Sequence, residues 1–302
     1  MAQPIFHDDL NFWESAVTIR PNRLYVYDRF TGTKESSRIH RPISNLSKGV
    51  VSDKAAVRIT NYCNLLYHAS PIKRVYSKAT KKSYTFRINF ITLTLPSKQI
   101  HDDKDIYRYC FKPFIRSITN NDNSFLYVWK AEVQANGNLH FHLSTSSFIH
   151  YNFIRMLWNN CVDKLGYVER AVVANPNSTD VHAVRNDKDF AIYMAKYLSK
   201  NDDTRRPVTI KTWDCSSWLK KQKTSDFLTE SQFYELSTSG LESIRCTKQH
   251  PLRSDERIDV DCYLTKFTNA QKKLIPETME IWNRAIDNLR EKTLLHPKIN
   301  FY

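Results

Sequence analysis

The stretch Ser124–Ser146, which reads SFLYVWKAEVQANGNLHFHLSTS, carries the pattern that decides the fold. Its two halves, Ser124–Val133 and Leu139–Ser146, are rich in β-branched and aromatic residues, which favour extended backbone. The connection between them contains Asn136-Gly137, a pair that accepts the positive φ angles of a tight hairpin turn. The stretch therefore predicts two neighbouring antiparallel strands joined by a short turn.

Helical and extended patterns alternate on both sides of this hairpin. Upstream, Ser83–Leu95 predicts a strand, and Asp102–Thr119 predicts an amphipathic helix that Pro113 kinks or splits. Downstream, the patterns predict a helix over Tyr151–Lys164, one or two strands within Ala171–Val184, a helix over Asp187–Lys200 and a last helix from about Pro276 to Leu294. The order strand, helix, strand, strand, helix, strand, helix predicts an α+β fold, with a central antiparallel sheet and helices packed on it.

The chain is long enough for this sheet domain and for an extension on each side of it. Residues 1–75 predict an N-terminal extension with one helix, which starts near Asp53, and one strand at Arg23–Tyr27. Residues 76–205 contain the predicted sheet domain. Residues 206–302 predict a basic and helical C-terminal region.

Composition narrows the class of partner. The 302 residues include 45 Lys and Arg against 31 Asp and Glu, a net charge of +14, which points to nucleic acid or an acidic membrane surface. The apolar residues form neither a membrane span nor a signal peptide, so we expect no membrane partner. The five glycines are scattered, which excludes the P-loop of common ATPase motors. Six single cysteines without a CxxC pair favour reduced thiols.

A basic run precedes the first strand of the predicted sheet. A run of this kind is usually a solvated face, but beside a nuclease sheet its charges would track a DNA backbone. It comprises Lys73, Arg74, Lys78, Lys81 and Lys82.

Two histidines in the second strand of the hairpin indicate a metal site. Side chains alternate along a strand, so His140 and His142 point to the same face and can bind one divalent ion, although both could be plain surface residues. Glu132 lies on the preceding strand across the turn, where its carboxylate would serve as a third ligand. Gln134 is the alternative oxygen ligand. Two imidazoles and a carboxylate with open positions suit Mg²⁺ or Mn²⁺ acting on phosphate.

A tyrosine and lysine pattern follows on the helix predicted over Asp187–Lys200. Tyr193 and Tyr197 are four residues apart and share a helix face, as do Lys196 and Lys200. A tyrosine hydroxyl that attacks a phosphodiester forms a covalent phosphotyrosine, and a nearby lysine lowers the phenol pKa or neutralises the phosphate. Taken alone, the pattern also fits an ordinary amphipathic helix.

Taken together and in this order, the motifs resemble those of HUH endonucleases, the rolling-circle replication initiators of plasmids and single-stranded DNA viruses. The first motif is Phe90-Ile-Thr-Leu-Thr-Leu-Pro96, the second contains His140-Phe-His142, and the third is the tyrosine and lysine pattern. The Tyr-x-x-Lys-Tyr-x-x-Lys form is similar to the two-tyrosine initiators of single-stranded DNA phages. The resemblance implies an RRM-like HUH nuclease fold for residues 76–205.

The resemblance also implies a role for each residue. Glu132, His140 and His142 would bind Mg²⁺ or Mn²⁺, and Tyr193 and Tyr197 would attack single-stranded origin DNA with the help of Lys196 and Lys200. The products would be a 5′-phosphotyrosine and a free 3′-OH for a host polymerase. A chain without a P-loop would recruit a host helicase, and the setting would be the cytoplasm of a bacterial host cell.

Several alternatives stay open at this point. Many related initiators use one tyrosine, so one of the pair could be structural, and spacing does not choose between the two lysines. An HUH transposase would use the same chemistry, although its core is usually smaller and carries a single tyrosine. A non-catalytic single-stranded nucleic-acid-binding protein would explain the charge and the aromatic residues, but not the ordered motifs.

Overall fold

The structure is a computed structural model of the chain. It describes residues 13–20, 23–30, 51, 53–77, 81–122, 124–171, 173, 175–184, 205–223, 225–227, 229–238, 242–249, 257–266, 272–273 and 275–294. These residues form two compact units. The first combines the described residues up to 30 with those of 222–285, and the second combines those of 51–221 with 286–294.

Strands and helices alternate along the described chain. The strands are β1 (Trp13–Arg20), β2 (Arg23–Phe30), β3 (Lys73–Ser77), β4 (Lys82–Phe86), β5 (Ile88–Leu93), β6 (Tyr127–Val133), β7 (Leu139–Thr145), β8 (Thr179–Val184), β9 (Trp213–Cys215), β10 (Ser225–Phe227), β11 (Glu242–Gln249) and β12 (Arg257–Lys266). The helices are α1 (Asp53–Ala69), α2 (Asp103–Asp105), a π-helical segment (Ile106–Phe111), α3 (Lys112–Asn121), α4 (Tyr151–Asp163), α5 (Ser217–Lys221), α6 (Glu230–Thr238) and α7 (Pro276–Leu294).

The first unit is built on a five-stranded antiparallel sheet in the order β10-β1-β2-β12-β11. The prediction of a single strand at Arg23–Tyr27 in the N-terminal part was wrong, because β1 pairs with β2 along its whole length. The other neighbour of β1 is β10, more than 200 residues away, where Val17 faces Asp226. Pairing over such a distance leaves no local pattern in the sequence. The functional division into 1–75, 76–205 and 206–302 stays a prediction.

The second unit carries the sheet predicted from the hairpin. Its five strands are antiparallel and lie in the order β8-β5-β7-β6-β9, which confirms the α+β class. The predicted hairpin is present, with Gly137 at a φ of +84° and the Gly137 amide donating to the Gln134 carbonyl at 2.9 Å. The helices predicted at Tyr151 and Pro276 also begin at those residues. The helix predicted over Asp187–Lys200 lies outside the described residues.

The prediction of one strand over Ser83–Leu95 was wrong, because the chain changes sheets at Arg87. Before it, β4 pairs with β3 in a two-stranded ribbon, and after it β5 lies between β7 and β8. Arg87 fixes this break, since its guanidinium donates to the Ser70 carbonyl at 2.9 Å and stacks over the Tyr67 ring. Both halves have a strand composition, so local sequence does not reveal the change of partner.

Pro113 splits its helix as predicted. Proline has no amide hydrogen and cannot continue the regular ladder. The chain therefore widens into the π-helical segment, which ends at Phe111 with the Lys112 amide donating to the Tyr107 carbonyl, and α3 begins with Pro113 in its first turn. Such π-turns relieve a mismatch without ending the helix.

Helices cover one face of the second sheet and leave the histidine face less covered. Phe141 points from β7 into the helix side, where its ring stacks on Phe111 at 4.0 Å and also meets Trp129 and Trp158. Its neighbours His140 and His142 point to the opposite face because strand side chains alternate. There α1 packs against β9, with the Tyr62 and Trp213 rings 6.2 Å apart. No helix in the described ranges combines the length and apolar character that a membrane crossing needs.

A buried carboxylate ties the β6–β7 turn to the helix layer. Asp103 is 2% exposed and accepts two hydrogen bonds from the Arg206 guanidinium, at 2.8 and 2.9 Å. Gln99 and Thr209 donate to the same carboxylate, while Arg206 also reaches the Gly137 carbonyl in the turn. Burial opposes the charge of Asp103, but these hydrogen bonds outweigh it and lower its pKa.

We expect the Asp103→Asn variant to lose about 2 kcal/mol of unfolding free energy at neutral pH. The loss is smaller than for a fully buried ion pair, because the Arg206 side chain is 38% exposed to screening water. A lowered pKa stabilises the fold above the ordinary value of 3.8 and loses that effect as the pH falls below it. Urea unfolding should therefore show a gap between wild type and variant that shrinks from pH 7 to about pH 3. Asp102→Asn is the matched control, and an equal loss in that variant would contradict the account.

Candidate metal centre

The strand register brings the three predicted ligands together. Glu132 on β6 lies directly opposite His140 on β7, and Lys130 lies opposite His142. Residues two apart on a strand share a face, so both histidines and the carboxylate point to the same side of the sheet. The short turn at Gly137 fixes this register, because one residue more or less would move Glu132 to the other face.

The ligand atoms of these side chains converge on one point. Glu132 Oε1 lies 3.0 Å from the Nε2 atoms of both His140 and His142, and the two Nε2 atoms are 2.8 Å apart. Neighbouring ligands on an octahedral ion at about 2.1 Å are separated by about 3 Å. The donor set and its spacing therefore fit a divalent ion. No other cluster of His, Cys, Asp or Glu ligands with such spacing occurs in the part of the chain that the structure describes.

The electrostatics of the group favour its metal-ready state. Burial opposes the charge of Glu132, but hydrogen bonds from His140 and His142 prevail and hold the pKa of the carboxyl well below its usual range. Burial lowers the pKa of His142 to about 4, so its imidazole is neutral at pH 7 and keeps a lone pair for an ion.

Sequence reasoning did not foresee three further residues around this group. Thr92 on β5 orients His142, since its Oγ1 lies 3.2 Å from His142 Nδ1, and the Phe90 ring stacks on the same imidazole at 5.3 Å. Lys130 places its Nζ 3.7 Å from Glu132 Oε2, and burial lowers the pKa of that lysine. Their signal was present in the Phe90–Pro96 motif and in the i, i+2 spacing of Lys130 and Glu132.

The group reaches the surface on its carboxylate side. The Glu132 side chain is 21% exposed, against 9% and 6% for His140 and His142. His140 Nδ1 is buried and has no hydrogen-bond partner among the described residues. Gln134, the alternative oxygen ligand, lies in the turn beyond the end of β6. The arrangement can present an ion to a ligand that approaches from solvent.

The predicted nucleophiles and their helpers lie outside the described residues. These are Tyr193, Lys196, Tyr197 and Lys200. The described chain stops on one side at Val184, the last residue of β8, and resumes on the other at Arg205. Arg205 donates to the Val133 carbonyl at 2.8 Å, one residue from Glu132.

Residues 88–202 match a family model of replication-associated proteins, the one described by the name ORF2. The match is consistent with a rolling-circle replication initiator, and it covers less than half of the chain. It spans β5–β8 together with the Glu132, His140 and His142 group and the tyrosine pattern. Comparison with curated proteins and with solved structures returned no match.

We expect Mn²⁺ to stabilise the protein through this group. At about 100 times the dissociation constant, binding to the folded state adds about 2.7 kcal/mol, which raises Tm by about 2–4 °C for a domain of this size. Thermal unfolding with and without Mn²⁺ should show this shift in wild type and not in a His140→Ala/His142→Ala double variant. His182→Ala is the matched control, because His182 lies on the same sheet but is 58% exposed and pairs with Asp180. A metal-dependent shift that persists in the double variant would contradict the assignment.

Proposed function

We propose that the chain initiates rolling-circle replication as a metal-dependent, site-specific endonuclease and strand transferase for single-stranded DNA. The observation that carries the proposal is the convergence of Glu132, His140 and His142 within the segment that matches replication-associated proteins. The net charge of +14 supports a polyanionic substrate.

In this proposal each residue of the metal group has a defined task. His140 and His142 hold the ion through Nε2, and Glu132 supplies the charged oxygen ligand. Thr92 and Phe90 keep the His142 ring in its orientation. The ion, when bound, supplies the positive charge that polarises the scissile phosphate.

The proposed nucleophiles are Tyr193 and Tyr197. The phenolic oxygen of one attacks the phosphorus, the bond from phosphorus to the 3′ oxygen breaks, and that oxygen takes up a proton. The products are a 5′-phosphotyrosine and a free 3′-OH. Lys196 and Lys200 lower the phenol pKa or neutralise charge on the phosphate.

The second tyrosine gives the reaction its strand-transfer step. After one round of synthesis the unused tyrosine cuts the regenerated origin, and the new 3′-OH attacks the first phosphotyrosine. This transfer releases a DNA circle and frees the first tyrosine, so that one phosphodiester bond forms for each phosphotyrosine that breaks. The i, i+4 spacing of Tyr193 and Tyr197 supports such alternation, because it lets both reach one site from a common helix face.

The described ends of the chain support the approach of these tyrosines to the metal group. The tyrosine pattern belongs to a connection that leaves the sheet at Val184 and returns beside Glu132, where Arg205 bonds to the Val133 carbonyl. The Asp103 network holds Arg206 immediately after it. One end of the connection is thus fixed next to the proposed ligands.

The proposal includes partners and a setting. The substrate is single-stranded origin DNA, a host polymerase extends the free 3′-OH, and a host helicase opens the duplex, since the sequence contains no P-loop. The setting is the cytoplasm of a bacterial host cell, and the replicon is a phage or a plasmid.

The experiment that tests the proposal is a covalent-adduct assay. The full chain is incubated with labelled single-stranded DNA from its own replicon, with Mn²⁺ in one series and EDTA in the other, and run on denaturing gels. We expect a slow-migrating protein–DNA band and a shortened DNA strand that both require the metal. Tight DNA binding without any adduct would favour a non-catalytic binding protein instead.

A further inference from the structure

The β3–β4 ribbon is a two-stranded element that belongs to neither five-stranded sheet. In its register Arg74 faces Thr85 and Tyr76 faces Ser83, so these four side chains lie on one side of the ribbon. All four are exposed, and Tyr76 is 59% exposed. The opposite side is covered at its base, where the Phe86 ring lies 6.0 Å from Phe148.

The base of the ribbon is held firmly. Lys73 is buried, lies over the Phe86 ring, and donates through Nζ to the Arg87 and Pro71 carbonyls at 2.5 and 3.2 Å. Arg87 in turn donates to the Ser70 carbonyl. Both strands are therefore fixed where they leave the body of the unit, and the exposed end has a defined direction.

The surroundings of the ribbon are strongly basic. The sequence contains no Asp or Glu from residue 54 to residue 101, whereas Arg74, Lys81 and Lys82 are exposed on or beside the ribbon. Because no acidic side chain in this stretch offsets these charges, the ribbon carries a positive potential suited to phosphate groups.

We propose that the β3–β4 ribbon docks in the major groove of duplex DNA next to the nicked single strand. The inference rests on the proposed function, and it adds a double-stranded segment to the substrate. A two-stranded ribbon fits the width of the major groove, where arginine reads guanine edges and hydroxyl side chains contact either base or phosphate. Binding of single strands relies instead on successive aromatic rings, and the exposed side presents Tyr76 alone.

The connection to β5 sets the distance between this duplex and the metal group. Six residues separate Phe86, at the base of the ribbon, from Thr92, whose Oγ1 contacts His142. At about 3.3 Å per residue the separation is about 20 Å, which equals about six base-pair steps. A hairpin followed by a short single-stranded tail would therefore satisfy the ribbon and the metal group together.

The test compares the full chain with an Arg74→Ala/Lys82→Ala variant. The matched control is Arg108→Ala/Arg116→Ala, which removes the same charge from exposed positions on the helix side. Fluorescence anisotropy in EDTA measures binding to a hairpin of about 20 base pairs with a tail, and to an unstructured single strand of equal length. Since EDTA removes the metal and no adduct is scored, the result does not depend on catalysis.

We expect the ribbon variant to bind the hairpin about tenfold more weakly at 0.1 M salt, with the slope of log K against log salt smaller by about 2. Its affinity for the single strand should change less than twofold, and the control should match wild type on both DNAs. Equal losses on hairpin and single strand would overturn the duplex assignment, as would an unchanged affinity for the hairpin. A failed adduct assay with a normal result here would count against nicking and leave the ribbon assignment in place.

Discussion

A Tyr193→Phe/Tyr197→Phe double variant is expected to lose the covalent protein–DNA product. Phenylalanine keeps the ring and removes only the hydroxyl that attacks the phosphorus, so packing changes little while the nucleophile is gone. Removal of a catalytic nucleophile lowers the rate by about 10⁴-fold or more. The measurement is the single-turnover rate of adduct formation on labelled single-stranded DNA with Mn²⁺.

The single variants separate the two tyrosines. If both attack, Tyr193→Phe and Tyr197→Phe each keep adduct formation but lose strand transfer, which needs two nucleophiles. If one is structural, only the other variant loses the adduct. Tyr151→Phe is the matched control, since Tyr151 is 51% exposed on α4. An adduct that survives in the double variant would contradict the proposed nucleophiles.

Replacing either histidine of the metal group should lower the nicking rate by about 10³-fold. The His140→Ala variant removes one of the ligand atoms that meet Glu132 Oε1 at 3.0 Å. Charge stabilisation by a metal ion at a phosphate contributes several kcal/mol, and each 1.36 kcal/mol equals a factor of ten in rate. The measurement is the single-turnover rate over a range of Mn²⁺ concentrations, with His182→Ala as the control.

Affinity for DNA separates a catalytic effect from a structural one. The His140→Ala variant should bind single-stranded DNA within about twofold of wild type, because the basic surface supplies most of the binding free energy. A variant that loses binding and nicking in equal measure would indicate a damaged fold. A variant that nicks at the wild-type rate would exclude His140 from the metal group.

The candidate metal site could be predicted because its determinants are local. The hairpin places Glu132 opposite His140 through a turn of a few residues, so composition, alternation and the Asn136-Gly137 pair suffice. The split at Pro113 was equally local, since a missing amide hydrogen acts within one helical turn.

Contacts between distant segments could not be predicted in this way. Thr92 reaches His142 across 50 residues of sequence, and that contact depends on the register between β5 and β7. The break at Arg87 depends on which strand each half finds as its partner. The pairing of β1 with β10 depends on a segment near the other end of the chain. Each of these features arises from tertiary pairing that a window of sequence does not contain.

The most direct test of the central claim is to identify the amino acid that carries the DNA. The adduct formed with Mn²⁺ is digested with nuclease and trypsin, and the peptides are read by mass spectrometry. Trypsin cuts after Lys196 and thereby separates Tyr193 from Tyr197. The account predicts a 5′-phosphonucleotide on the tyrosine of one or both peptides, absent in EDTA and absent when His140 is replaced by alanine. A nucleotide attached to any other residue, or an adduct that forms without metal, would contradict it.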